Sequence, residues 1–348
     1  MNNLQVLGKF LDQPMLVSKF QKAVPALLIG GAAAFTAYDA SKAEEGQRGK
    51  RALKTGVTLG TTVAAALAAP HIASAITKRA LPEGVNAIKL KNKELVDTFV
   101  KSTPLEEKTV EILNKSKDKV LGFKEVKTLF SNLKDKGGKE FLEKLIPAPE
   151  NVSAKDIFSE IVFLSVTVAI PVIGGIAGGI AADRLTDKEN WKEKVPDKVK
   201  EGSYQYLANI FMCNIGAGLA LGLLEKMGIN SKAARAVGMT AGIVLTGVIG
   251  GSKVANFVSE KVIEPLFHKK DKTHTHTNPN NDAKLQKHID THHKPHKHEE
   301  RTPELLDIGL HTDDIATVSL LSGLKWIEPA LPVMYTVSGY RAGIGYRN

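Results

Sequence analysis

The sequence predicts an all-α, polytopic helical membrane protein with about five membrane segments and a small extramembrane helical bundle. Three observations predict it. Apolar residues are gathered into five runs without Asp, Glu, Lys or Arg; those runs carry small residues four apart; and a lysine-rich stretch with helical periodicity separates the first two runs from the last three.

The uncharged runs are residues 23–38, 55–77, 161–182, 204–224 and 236–252, which are 16, 23, 22, 21 and 17 residues long. Roughly 20 apolar residues, rising ~1.5 Å each, cross a hydrocarbon layer about 30 Å thick. Three runs meet that length. The two shorter ones reach it if Lys22, Arg235 and Lys253 at their ends extend toward the headgroups. A buried helix of a water-soluble protein seldom runs past about 20 residues without one charge.

Residues 1–22 read as an amphipathic lead-in, with Leu4, Leu7, Phe10 and Leu11 on one face and a break at Gln13-Pro14. Residues 23–80 read as a membrane helical hairpin whose first segment is retained rather than cleaved as a secretory signal. The 81–152 segment is polar and lysine-rich. Within it, Thr103, Pro104 and Glu106 are spaced as an N-cap, a first helical residue and the acid of a capping box, while Gly122 and Gly137-Gly138 read as helix stops. Residues 153–260 supply three membrane helices, with Ser153 and Asp156 as a cap at their start. Residues 261–301 form a histidine-rich flexible loop, and 302–348 an apolar helical tail, a sixth membrane candidate interrupted by Lys325, Glu328, Pro329 and Pro332.

The formal net charge of +10 raises nucleic acid as a partner. Between Lys78 and Asp156, however, 17 Lys/Arg mix with 13 Asp/Glu, without the interleaved aromatics of a nucleic-acid groove. Anionic lipid is the partner this charge suits, beside the lipid bilayer itself. The single cysteine, Cys213, lies inside an apolar run and reads as a packing residue.

Stripes of small residues set the packing expectation. Gly30; Gly56 and Gly60; Gly174 with Gly178 and Gly175 with Gly179; Gly218 with Gly222; Gly238 with Gly242; and Gly247 with Gly251 fall on common helix faces. Such faces let backbones approach closely, within one chain or between copies of a homo-oligomer. A short repeat accompanies them. Gly30-Gly31, Ala33, Ala37 and Asp39 recur at identical offsets as Gly174-Gly175, Ala177, Ala181 and Asp183, preceded by Pro25 and Pro171, which suits a duplication of a helical hairpin. Gly216, Gly218 and Gly222 imitate a dinucleotide-binding turn but lie inside an uncharged run without βαβ context. Residues 247–253 end Gly-Ser-Lys, where a phosphate loop needs Gly-Lys followed by a hydroxyl.

Eight of the ten histidines fall in 268–298. His274, His276, His288, His292, His293, His296 and His298 are candidate ligands for Zn, Ni or Cu, because neutral imidazole binds these ions and closely spaced pairs let a flexible chain bring several nitrogens together. In composition this stretch is similar to the histidine-rich loops of zinc transporters. That resemblance implies metal handling, but a path through the bilayer would need His and carboxylate ligands in the spans, and the runs and their ends offer only His71, Asp39 and Asp183, which argues against such a path. No nucleophile elbow, metalloprotease helix or paired intramembrane carboxylate places a catalytic set. The expectation is a noncatalytic membrane protein that anchors or organises an assembly, with a metal-cation transporter as the alternative and a membrane-embedded enzyme behind it.

Overall fold

The computed structural model describes residues 3–147, 154–229, 232–268 and 328–345, and every regular element among them is helical. Helix α1 (Asn3–Leu11) turns at Gln13 into α2 (Pro14–Ser41). Proline suits the first turn of α2, where its missing N–H would have had no helical acceptor. The first apolar run is thus the later part of a helix that begins at residue 14, ahead of the boundary expected at 22. A 3₁₀ turn at Glu45–Gln47 leads into α3 (Arg48–Thr77), which ends on Lys78 in the left-handed conformation at φ 57°.

Helices α4 (Val85–Ser102), α5 (Glu107–Ser116), α6 (Phe123–Asn132) and α7 (Lys136–Leu145) then form a small bundle with α1. Its core is Val6, Val96, Leu113, Leu121, Val126, Leu129 and Leu142, with Phe99 stacked on Phe141 at 3.9 Å. The Gln13 amide ties this bundle to the long helices: Nε2 donates to the Phe10 and Leu121 carbonyls, both at 2.9 Å, and Oε1 accepts from Leu121 N at 2.8 Å. Both ends of a buried amide are therefore satisfied.

The helix boundaries here differ from expectation. Thr103 closes α4, and α5 starts after Glu106, because Pro104 forces the residue before it into extended backbone. Gly122 starts α6 instead of stopping a helix: Glu125 Oε2 accepts from its N–H at 2.6 Å. Burial of Glu125 is outweighed by this bond and by Lys115, which holds the carboxyl below the usual glutamate range. Gly137-Gly138 lies in the first turn of α7, where the Asp135 side chain accepts from Gly138 N. The expected Ser153 cap lies outside the described residues.

The remaining elements build the apolar part. Helix α8 (Ala154–Thr186) leads through a 3₁₀ turn, Trp191–Lys194, to α9 (Val195–Tyr206), a π-helical stretch (Leu207–Phe211) and α10 (Met212–Lys226). After the turn at Gly228 come α11 (Lys232–Ile243), α12 (Ser252–Val258) and α13 (Glu264–His268), joined by π-helical Val244–Gly251 and Ser259–Ile263. Helix α14 (Leu331–Ile344) follows a 3₁₀ turn at Glu328–Ala330.

Contacts fix the directions. Lys54 meets Asp183 while Ala73 clusters with Phe163, so α3 and α8 are antiparallel. Gly202 lies on Ile176 and Leu221 clusters with Ile161, so α9–α10 runs back along α8. Gly216 against Gly242, and Lys200 paired with Glu264, reverse the direction again. Helix α14 is parallel to α8, with Leu331 near Leu164 and Gly343 on Gly175. One end of the molecule collects the turns at 42–47 and 187–194; the other carries the α1/α4–α7 bundle.

Four helical stretches are long and apolar enough to cross a membrane: Pro14–Ser41, Glu45–Thr77, Ile161–Thr186 and Val237–Phe267. The expected run at 204–224 is not among the four, being divided between the end of α9, the π-helical stretch and α10.

Candidate functional site

At the end opposite the bundle, five helices bring charged side chains into the interior. Asp183, in the last turn of α8, is buried between Lys198 of α9 at 2.9 Å and Lys54 of α3 at 2.7 Å. Lys198 Nζ also donates to the Gly343 carbonyl of α14 at 2.5 Å. The carbonyl is one of the last of its helix, so an ammonium there also complements the negative end of the helix dipole. One turn further along α9, Glu201 is buried beside Gln205, whose Nε2 donates to it at 2.7 Å, and lies 4.0 Å from Arg341 of α14.

A second node sits beside the first. Asp39 of α2 accepts both Nε and Nη2 of Arg51, at 2.7 and 2.9 Å, and also the Thr55 hydroxyl. Asp39 and Asp183 are the equivalent acids of the sequence repeat, and each holds a cation from the first turns of the next helix of its hairpin. In the turn after α8 the Lys194 ammonium, 2.5 Å from Asp187, holds that carboxyl below the usual aspartate range, aided by the Asn190 N–H.

Each of these buried groups has an opposite charge or a hydrogen-bond partner. The arrangement locks five helix ends together. Among the described residues no three His, Cys, Asp or Glu side chains are grouped as metal ligands. His274, His276, His288, His292, His293, His296 and His298 lie outside the described residues. His71 lines a cavity at the opposite end of the bundle, away from both acid nodes.

The glycines occupy two kinds of place. A Cβ at Gly174 or Gly178 would run into Ala65 or Thr61 of α3, and one at Gly175 or Gly179 into the carbonyls of Gly339 or Gly343 on α14. Gly242 meets Gly216, Gly247 meets Cys213, Gly251 meets Ala208 and Gly238 meets Leu224 across the α10/α11 hairpin. Thr246 of that hairpin places its hydroxyl 2.8 Å from the Met212 carbonyl and 2.7 Å from its own Gly242 carbonyl. Gly218 is buried in α10. Gly56 makes an ordinary 3.5 Å contact with the Thr36 methyl, whereas Gly30, Gly60 and Gly222 have open space beside them.

Gly216, Gly339 and Gly343 were not among the glycines expected to pack. For the last two a signal was present, since they lie four apart; the prolines and charges just before them hid it. The Asp183–Lys198–Lys54 meeting had a weaker signal, an isolated acid at the end of each repeated run.

Compared with known proteins, the chain matches no protein-family model, no curated protein and no solved structure.

Proposed function

We propose that this chain is a noncatalytic integral membrane protein that organises or anchors an assembly, with α9–α10 as a fifth crossing beside the four apolar stretches. One observation carries the membrane reading: the distribution of polarity is inverted. Leu27, Ile173, Leu219 and Leu245 remain 56, 63, 58 and 62% exposed, whereas Asp183, Lys198, Glu201 and Arg341 are 0, 1, 0 and 4% exposed. Water would reward the opposite arrangement, and large exposed apolar surface marks contact with lipid or protein. A fifth crossing is supported by the antiparallel run of α9–α10 along α8.

The assembly role is supported by α2. It is the least buried of the four apolar stretches, with 11% of its apolar window covered, and the open faces of Gly30 and Gly31 lie on it. Small-residue faces of this kind favour close helix approach in lipid, where no hydrophobic force drives helices together.

Fractionation of cells expressing the full chain, followed by size analysis in mild detergent, tests both parts. The protein is expected in the membrane pellet, released by detergent but not by salt or alkali, as a particle larger than the monomer. Gly30→Leu is expected to reduce that particle to monomer while helix content stays the same. A protein that stays in the detergent-free supernatant removes the membrane reading, and a Gly30→Leu particle of unchanged size removes α2 as the contact.

A further inference from the structure

The end of the molecule beside the α4–α7 bundle holds a cavity of about 520 Å³ that the charge network does not touch. Helices α2, α3 and α8 wall it, together with the segments leading into α4 and α14. Prolines frame it. Pro25 and Pro70 stand inside α2 and α3, Pro82 lies just ahead of α4, and Pro329 and Pro332 open the way into α14. A proline ring crowds the turn before it and its φ is fixed, so such walls do not readily collapse onto an empty space.

The lining divides by chemistry. Val24, Ala66, Phe163, Leu164 and Leu331 are buried apolar residues, and an unfilled space beside them forfeits dispersion contacts on one side. An apolar occupant restores those contacts; water does not, since it needs several polar partners. The charged groups are unequal in what they can offer. The Arg79 guanidinium lies over the Phe163 ring at 4.6 Å, behind that wall, and Glu328 is the one carboxylate of the lining; each is already engaged by another group. Lys22 lines the cavity, is exposed, and has no ion pair among the described residues. It is thus the charge that a ligand can take up.

We propose that this cavity binds a long-chain carboxylate, a fatty acid in chemical class, with its chain along the apolar walls and its carboxylate at the Lys22 ammonium. Mostly apolar walls with a few orienting polar groups are the usual make-up of a small-molecule site. A methylene takes up about the space of a water molecule, ~30 Å³ in the liquid, so 520 Å³ holds roughly 17 such groups, which is one long chain with its carboxylate and not the two chains of a phospholipid. A long-chain alcohol fills the same walls but brings Lys22 no charge. A short carboxylate brings the charge without the chain. The inference goes beyond the assembly reading and does not depend on it, because the walls are protein whatever surrounds the bundle.

The test uses the full-length protein purified in digitonin, whose apolar part is a steroid and not an alkyl chain, with palmitic acid carrying a diazirine in its chain as photoprobe. Illumination is expected to give one adduct per protein, mapped by mass spectrometry to the α3 or α8 wall. Excess palmitate is expected to prevent it, and hexadecanol, octanoate and dipalmitoyl phosphatidylglycerol at the same concentration to compete more weakly. Lys22→Gln is expected to weaken labelling about tenfold, the loss of one charge-assisted hydrogen bond. Leu67→Trp, which puts an indole at the wall, is expected to abolish the adduct; if that variant does not fold, Lys22→Gln, at an exposed position, decides alone. Equal competition by hexadecanol would show that the carboxylate is not recognised, better competition by phosphatidylglycerol that a two-chain lipid is the occupant, and adducts spread over the outer helix faces that the probe only coats apolar surface. Each of these overturns the proposal, as do labelling unchanged in Lys22→Gln and the absence of any adduct. All of them leave the fractionation result, and with it the membrane reading, where it stands.

Discussion

Asp183 is the residue on which most of the buried charge depends. Lys54 is partly exposed and can turn its ammonium toward solvent, but Lys198 is enclosed by α8, α9 and α14 and has no such route. Removing one partner of a buried pair leaves the other charge uncompensated, at a cost of about 3–5 kcal/mol, while replacing the whole pair by apolar groups is often close to neutral. Asp183→Asn is therefore expected to lower unfolding stability in detergent by about 3–5 kcal/mol. Adding Lys198→Met should recover most of the loss. Asp187→Asn, a few residues away in the turn after α8, should lower the midpoint far less, because its ion pair with Lys194 lies at the surface. If the double variant is no better than Asp183→Asn, the damage comes from lost packing and not from a stranded ammonium. None of this pairing was legible in the sequence beyond the isolated acids at the run ends. Which cation meets which acid depends on how α3 is placed beside α8 and α9, which lie more than a hundred residues further along the chain.

At the scale of elements, one motif meets two fates. Gly30-Gly31 and Gly174-Gly175 occupy equivalent positions in the two hairpins, yet a Cβ on the first pair meets nothing within 4 Å and one on the second meets α3 and α14. Helix α2 lies at the edge of the bundle and α8 at its centre, so identical residues are outward in one and essential to close approach in the other. The spacing of small residues could be read from the sequence, because period alone places them on a face. Their partners could not: Gly339 and Gly343 sit in a tail whose prolines suggested a broken segment, and α14 instead wedges between α3, α8 and α9. The contrast gives a direct comparison. Gly175→Ala must push α8 and α14 apart and should destabilise by ~1–3 kcal/mol, as overpacking does. In the dissociated single chain, Gly31→Ala should be neutral or stabilising by up to about 1 kcal/mol, since alanine restricts the unfolded chain and has room beside α2. Equal effects of the two substitutions in detergent unfolding would mean that α14 does not pack on α8 as described.

For the whole molecule, the alternation of helix directions makes a statement about sides. Lys50, beside the α2/α3 turn, and Lys192, in the α8/α9 turn, are exposed at the end that holds the charge network. Lys108 and Lys124 are exposed on the bundle at the other end. Helix α13 starts beside Lys200, at the first of these ends, and Glu328, in the turn before α14, lies beside the cavity at the second. In a bilayer the two groups of lysines would face different compartments. Charge does not say which faces the cytoplasm, since both ends are lysine-rich. Single cysteines at Lys50, Lys192, Lys108 and Lys124 can settle the relation between them, because Cys213, the native cysteine, is buried and contributes little background. Labelling of sealed vesicles with a membrane-impermeant maleimide should modify Lys50→Cys and Lys192→Cys together, and Lys108→Cys and Lys124→Cys together, but never all four before the vesicles are opened. All four reacting in sealed vesicles would place both ends in one compartment. That outcome would turn the apolar stretches into a bundle lying on a surface, and the inverted polarity would then need a protein partner, not a hydrocarbon layer, to cover it.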